Sequence, residues 1–175
     1  DLIALAFDPL LAGNAHFNLD RLGATAARYI DDMYGPRTDE LNAGVPTDRL
    51  IVEWELERPA PARLDLGEAR RLPRLIAAAR RDDGRIDVEG VETRPAASRA
   101  LLEVPGDIQA LRRGDPALAE RWRRAVREAF RAAFDAGYRA VGFVRDGGGA
   151  SRRCYYALRR GEGSGEATGA IPSLF

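Results

Sequence analysis

Lysine is absent from this 175-residue chain, so all 27 basic residues are arginine, and cysteine, histidine and methionine occur once each. A lone Cys154 excludes an internal disulfide, and with His16 as the single imidazole no Cys/His cluster for a structural metal can form. A reducing compartment suits such usage best. Long apolar runs are also missing: Leu2 to Phe7 falls far short of the roughly 20 residues a membrane-spanning helix needs, and no signal-peptide pattern opens the chain. The expectation is a cytoplasmic protein with neither a metal nor a membrane partner. Excess charge of either sign is lacking too, because 27 acidic residues balance the arginines. Arginine doublets recur at Arg70, Arg80, Arg112, Arg123, Arg152 and Arg159 with their neighbours, but acids are interspersed, whereas nucleic-acid binders gather their cations on one face. No nucleic-acid partner is expected.

What is present suffices for a core: 45% of the residues are hydrophobic, and the length suits one domain or slightly more. Leu2 to Phe7 is apolar without alternation, which predicts a strand covered on both faces inside a sheet, in a chain that starts within a domain. Asp8-Pro9 closes it. Gly13-Asn14 offers an N-cap for a short helix from Ala15 to Leu22, with Ala15, Leu19 and Leu22 on one face and Gly23 at the C-terminal cap. A second strand is expected over Ala24 to Ile30, then a polar loop from Asp31 to Asp48. In Arg49 to Glu57, Leu50, Val52, Trp54 and Leu56 alternate with Ile51 and three glutamates, the pattern of a half-exposed antiparallel strand.

Residues 58–98 change to proline, alanine, arginine and acid. They read as a connector or insertion, a solvated segment with a helix over Gly67 to Arg81 that Pro73 interrupts or starts. Ala100 to Val104 is a strand ended by Pro105-Gly106. The helix that follows is capped by Asp115, has Pro116 at its first position, repeats Trp122, Val126, Phe130 and Phe134 every four residues, and stops at Gly137. Two strands, Arg139 to Arg145 and Arg152 to Leu158, are joined through Gly147-Gly148-Gly149. Residues 99–160 thus form a strand-helix-strand-strand unit that completes the sheet, and 161–175 read as a disordered tail.

The stretch from Phe7 to Ala24 resembles the GNAT superfamily of N-acyltransferases. There the fifth strand ends at an asparagine-containing turn, a helix follows, and a Leu-Gly-Phe-like corner leads into the sixth strand; Asn14, Ala15 and Leu22-Gly23 match that grammar. The runs Asn-Ala-His-Phe-Asn-Leu, Leu-Asn-Ala-Gly-Val-Pro-Thr-Asp-Arg-Leu and Glu-Val-Pro-Gly-Asp-Ile-Gln are similar to a little-characterised predicted-acetyltransferase family within it. The resemblance implies an α/β (α+β) fold, a mixed sheet flanked by helices, with residues 1–57 as the C-terminal part of a GNAT-like domain. It implies transfer of an acyl group from acetyl-CoA, succinyl-CoA or another acyl-CoA to an amino acid or other small amine, the thioester lying where the fourth and fifth strands splay. The Arg/Gln-x-x-Gly-x-Gly/Ala signature that binds the coenzyme pyrophosphate at a helix N-terminus is absent from this chain, and the fragment alone is expected to be inactive. Leu19 stands where many relatives place the tyrosine that protonates the departing thiolate.

Under that resemblance Asn14, Phe17 and Asn18 fall where the coenzyme is met, and Asp8 at the strand end is the candidate base. Asn14 equally suits a helix cap, and Asp8 a turn with Pro9. Tyr34, Thr47, Asp48 and Arg49, around a polar loop opening a strand, are placed to grip a carboxylate or amine, although Asp48 and Arg49 could pair with each other's neighbours. Tyr29, His16 and Cys154 read as packing residues, and a catalytically silent acyl-CoA or small-ligand binding module is the alternative function. A homodimer is compatible with the second unit completing a partner's sheet.

Overall fold

The computed structural model describes residues 1–35, 46–57, 59, 62–149 and 152–161. In chain order it contains β1 (Leu2–Phe7), α1 (Ala12–Ala15), a π-helical segment (His16–Arg21), β2 (Thr25–Ile30), β3 (Arg49–Glu55), α2 (Leu66–Ala69), β4 (Ile76–Arg80) and β5 (Ile86–Val91). There follow β6 (Arg99–Val104), α3 (Ile108–Gly114), α4 (Pro116–Asp135), β7 (Tyr138–Asp146) and β8 (Arg153–Arg160). Six strands form one sheet in the order β1-β3-β2-β7-β8-β6, with antiparallel ladders throughout, and β4 and β5 pair as a separate hairpin. Helices pack on this sheet, an α+β architecture.

The long helix α4 follows the sequence closely. The Asp115 carboxylate accepts a hydrogen bond from the Leu118 N–H at 3.0 Å, which satisfies one orphan donor of the first turn, and Pro116 has no N–H to satisfy. Trp122, Val126 and Phe130 are no more than 1% exposed, each burial being worth about 1.5–3 kcal/mol. Phe130 stacks on Tyr29 of β2 with ring centroids 5.6 Å apart and meets Tyr156 of β8 edge-on at 4.9 Å, so one side chain joins strands from both ends of the chain. Gly137, at φ 83°, then turns the chain into β7.

The connectivity is repeated. β1, a helical crossover, β2 and β3 give the order β1-β3-β2; β6, helices, β7 and β8 give β6-β8-β7. In both halves the second strand follows a left-handed glycine, Gly23 at φ 72° or Gly137 at φ 83°. In both, the ladder shifts register just beyond the third residue after that glycine, between Ala26 and Arg28 in β2 and between Ala140 and Gly142 in β7. Ala26 and Ala140 themselves pair across the seam. The halves are therefore related by an approximate two-fold axis normal to the sheet at this alanine pair, the orientation in which an antiparallel pair maps onto itself.

Several expectations require correction. β1 is an edge strand rather than an interior one: Leu2, Ile3 and Leu5 are 59%, 38% and 42% exposed, and of its residues only Phe7 is buried. Its apolar run reads as doubly covered, yet among the described residues only β3 lies beside it. The opposite edge is covered, since the Leu101 N–H bonds the Pro73 carbonyl and the Leu75 N–H bonds the Leu101 carbonyl, both at 2.8 Å. The helix expected over Gly67 to Arg81 is only the short α2; the chain reaching Pro73 cannot continue it, and Ile76 to Arg80 is β4. Nor is this connector merely solvated, because Leu75 and Ile76 enter the main core at 2% and 0% exposure. α3, capped by the Asp107 carboxylate on the Ala110 N–H at 2.9 Å, has too short an apolar content to mark a helix in the sequence. Among the described residues no helix is long and apolar enough to cross a membrane. The expected tail beyond Gly161 and the loop positions 36–45 lie outside the described residues.

Candidate functional site

The residues at the start of β3 gather around a tight turn. Asp32, at φ 42°, is held in the left-handed region that aspartate tolerates better than most residues. Its N–H donates to Asp48 Oδ1 at 3.1 Å, and its carboxylate accepts the Thr47 N–H at 3.0 Å. Thr47 Oγ1 accepts the Tyr34 N–H at 3.0 Å, Arg49 donates to the Asp48 carbonyl at 2.7 Å, and the Arg49 guanidinium lies 5.1 Å above the Tyr34 ring. The four predicted substrate residues are thus brought together, but unequally. Thr47 and Asp48 are buried, while Tyr34 is exposed and Arg49 half-exposed.

Asp48 is the centre of a larger network. It accepts the Tyr29 hydroxyl at 2.6 Å and two bonds from the Arg127 guanidinium at 2.9 and 2.6 Å. Burial alone would raise its pKa, but the hydrogen bonds from Arg127, Tyr29 and the Asp32 N–H, together with the Arg127 charge, hold the carboxyl below its usual range. Burial, then the bond to Asp48 and its charge, push the Tyr29 hydroxyl far above its ordinary value. At neutral pH Asp48 is an anion that does not take up a proton and Tyr29 a phenol that does not release one.

Asp8 is committed in the same way. Its Oδ1 accepts the Leu10 N–H at 2.9 Å, closing the turn over Pro9, while Arg123 of α4 forks both oxygens at 2.7 and 2.8 Å. Arg112 stands 3.8 Å from Oδ2. Burial works against the Arg123 charge, and the hydrogen bond and charge of Asp8 outweigh it, so the pKa of Arg123 is raised. The Pro9 carbonyl accepts the buried Tyr156 hydroxyl at 2.6 Å. Both turn and ion pair fasten the end of β1 to α4 and β8.

The helical crossover begins at Ala12, not Ala15, and Asn14 is not its cap: the N-cap is Leu11, with no side-chain hydrogen bond. Asn14 is exposed in the first turn, and its carbonyl accepts the Asn18 amide at 2.9 Å. Phe17 is 56% exposed, whereas Asn18 is buried at 8% and Leu19 fills the core at 1%. His16 Nε2 accepts from Arg145 at 2.8 Å, which leaves the ring proton on Nδ1, 3.3 Å from Asp20. Burial and the Arg145 charge lower its pKa against the opposing pull of Asp20, so this imidazole is neutral at pH 7. Cys154 is fully buried and its thiol is pushed up to about 11 by that burial, as befits an inert packing residue.

Sequence reasoning did not single out Arg123 and Arg127. Their spacing of four along α4, beside Trp122 and Val126, is the signal that could have marked them as flanking the buried stripe. Among the described residues no group of three or more His, Cys, Asp or Glu could hold a metal ion. Comparison with known proteins finds no match among protein-family models, curated proteins or solved structures.

Proposed function

We propose that this chain belongs to a GNAT-type N-acyltransferase that moves an acyl group from acetyl-CoA or a related acyl-CoA to an amino acid or other small amine. One observation carries the reading: β1, a helical crossover, the Gly23 corner, β2 and β3 succeed one another as the resemblance requires of the fifth to seventh strands, and the outer side of β1 is unpaired among the described residues. In that superfamily the thioester lies against the fifth strand where it splays from the fourth. The outer N–H and C=O groups of β1, beside exposed Ile3 and Leu5, are suited to a pantetheine arm. Phe7 pairs with Leu50, so Arg49 and Tyr34 stand at the same end of β1, where a cation and a ring edge would hold a carboxylate-bearing amine. In the reaction the neutral amine nitrogen attacks the thioester carbonyl and sheds one proton to solvent, the C–S bond breaks, and the thiolate takes a proton. With Leu19 buried, that proton comes from water or another group.

The second reading, a silent acyl-CoA or small-ligand binding module, is favoured by the locked state of Asp8, Asp48 and Tyr29. The test uses the protein in its complete natural form, with acetyl-CoA or succinyl-CoA and a panel of amines, following free thiol. CoA release with one pair, and a raised KM for the amine in Arg49→Gln, is the expected result. CoA binding by calorimetry without turnover would favour the binding module, and neither binding nor release would remove both readings.

A further inference from the structure

The face of the sheet opposite α4 carries a row of like charges. Arg139 of β7, Arg159 of β8 and Arg99 of β6 are directly opposite one another in register, Arg139 to Arg159 and Arg159 to Arg99. Directly opposed residues in an antiparallel ladder share a face with Cβ atoms only about 4.5–5.5 Å apart, and like charges there are destabilising. The outer two are partly compensated. Arg99 is paired with Glu68, and Arg139 reaches Thr25 Oγ1 at 3.3 Å and Glu53 at 3.5 Å. Arg159, in the middle and exposed, is drawn to no carboxylate among the described residues.

A cavity of about 370 Å³ opens beside it, lined by Arg159 and Arg99. The hollow exists because Gly142 and Ala157, opposed in the β7–β8 ladder, supply almost no side chain, and a Cβ on Gly142 would still lie an ordinary 3.6 Å from that of Ala157. Leu64 and Leu72, from the connector, close the other side. That connector is tied down by Arg63 to Asp20 at 3.3 Å and by Arg70 forking Asp146 at 2.9 and 2.7 Å. The charged groups lining the cavity are Arg63, Arg99 and Arg159 against Asp20 and Glu68, one positive charge in excess. Apolar walls with a few convergent polar groups are the usual make-up of a small-molecule site.

We propose that this cavity binds a small organic anion, its apolar body between Leu64, Leu72 and the Gly142–Ala157 hollow, and its carboxylate or phosphate forked by Arg159. Such bidentate bonding is the strong form of arginine recognition. Leu19 and Gly23 also line the cavity, but the proposed contacts are not β1, Arg49 or Tyr34, so either reading can fail without the other. Calorimetric titration of the chain with hexanoate, hexyl phosphate and hexanol tests it. At least one of the two anions binds at least tenfold more tightly than hexanol, and which anion is preferred identifies the head group. Arg159→Gln weakens that anion at least tenfold while leaving the melting temperature of the free protein unchanged or higher, because the repulsion within the row is relieved. Gly142→Val, which fills the hollow, weakens it as well. Absence of binding by either anion, equal affinity for hexanol, or full affinity in Arg159→Gln would overturn the proposal.

Discussion

Asp48 shows at the scale of one residue how a charge is kept inside this protein. Its carboxylate is fully buried but meets two guanidinium donors, a phenol and a backbone N–H, so each oxygen is satisfied. Removing it leaves Arg127 only its longer contacts to Asp31 and Asp32, both at 3.8 Å, and Asp48→Ala is expected to destabilise the fold by about 3 kcal/mol in denaturant unfolding. That figure is at the low end for a broken buried pair, because the Arg127 side chain is 27% exposed. The pH dependence follows from the direction of the shift. With a folded pKa below the ordinary 3.8, the stabilisation is fully present above pH 3.8 and is lost as pH falls through the lower folded value. Stability measured from pH 6 down to pH 2 should therefore drop more steeply in the wild type than in Asp48→Ala; parallel curves would show that folding does not depress the pKa of Asp48. The sequence marks Asp48 as notable by its place after a polar loop. Its partner Arg127 is 79 residues away, and no local pattern encodes that distance.

At the scale of elements, the parts with strong local chemistry are those legible beforehand. α4 has a cap, a first-turn proline, a four-residue apolar repeat and a terminal glycine, and all point to one conformation. Gly137 shows the cost of removing one such signal. Its φ of 83° suits glycine, and a Cβ there would meet nothing within 4 Å, so Gly137→Ala isolates the backbone term. A loss of about 1–2 kcal/mol is expected in thermal or urea unfolding, and an unchanged midpoint would mean the corner relaxes freely. β1 and the connector depart from the sequence expectation for a common reason. Local pattern reports what a segment prefers to bury, not which neighbours reach it. The run Leu2 to Phe7 has the composition of a covered strand and sits at a margin, while the arginine-rich residues 70–80 supply Leu75 and Ile76 to the core.

The whole molecule is two like halves meeting along a narrow seam at Ala26 and Ala140. What joins them more firmly is α4, whose Phe130 touches Tyr29 on one side and Tyr156 on the other, while Arg123 and Arg127 hold Asp8 and Asp48 of the first half. The halves should accordingly unfold together. Phe130→Ala is expected to cost about 3–5 kcal/mol and to leave a single transition by circular dichroism and tryptophan fluorescence alike. Two separated transitions in the wild type would show that the seam, not the helix, governs cooperativity. By itself the sequence determined the six strands of the main sheet, the limits and buried stripe of α4, the glycine corners and the packing role of Cys154, because each rests on contacts or torsions within a few residues. Only the tertiary structure decided that β1 is an edge, that Asp8 and Asp48 are neutralised by one helix, and that three arginines stand in a row beside a cavity. Those facts depend on strand order and register, which arise from the burial of distant segments against each other and leave no periodic trace along the chain.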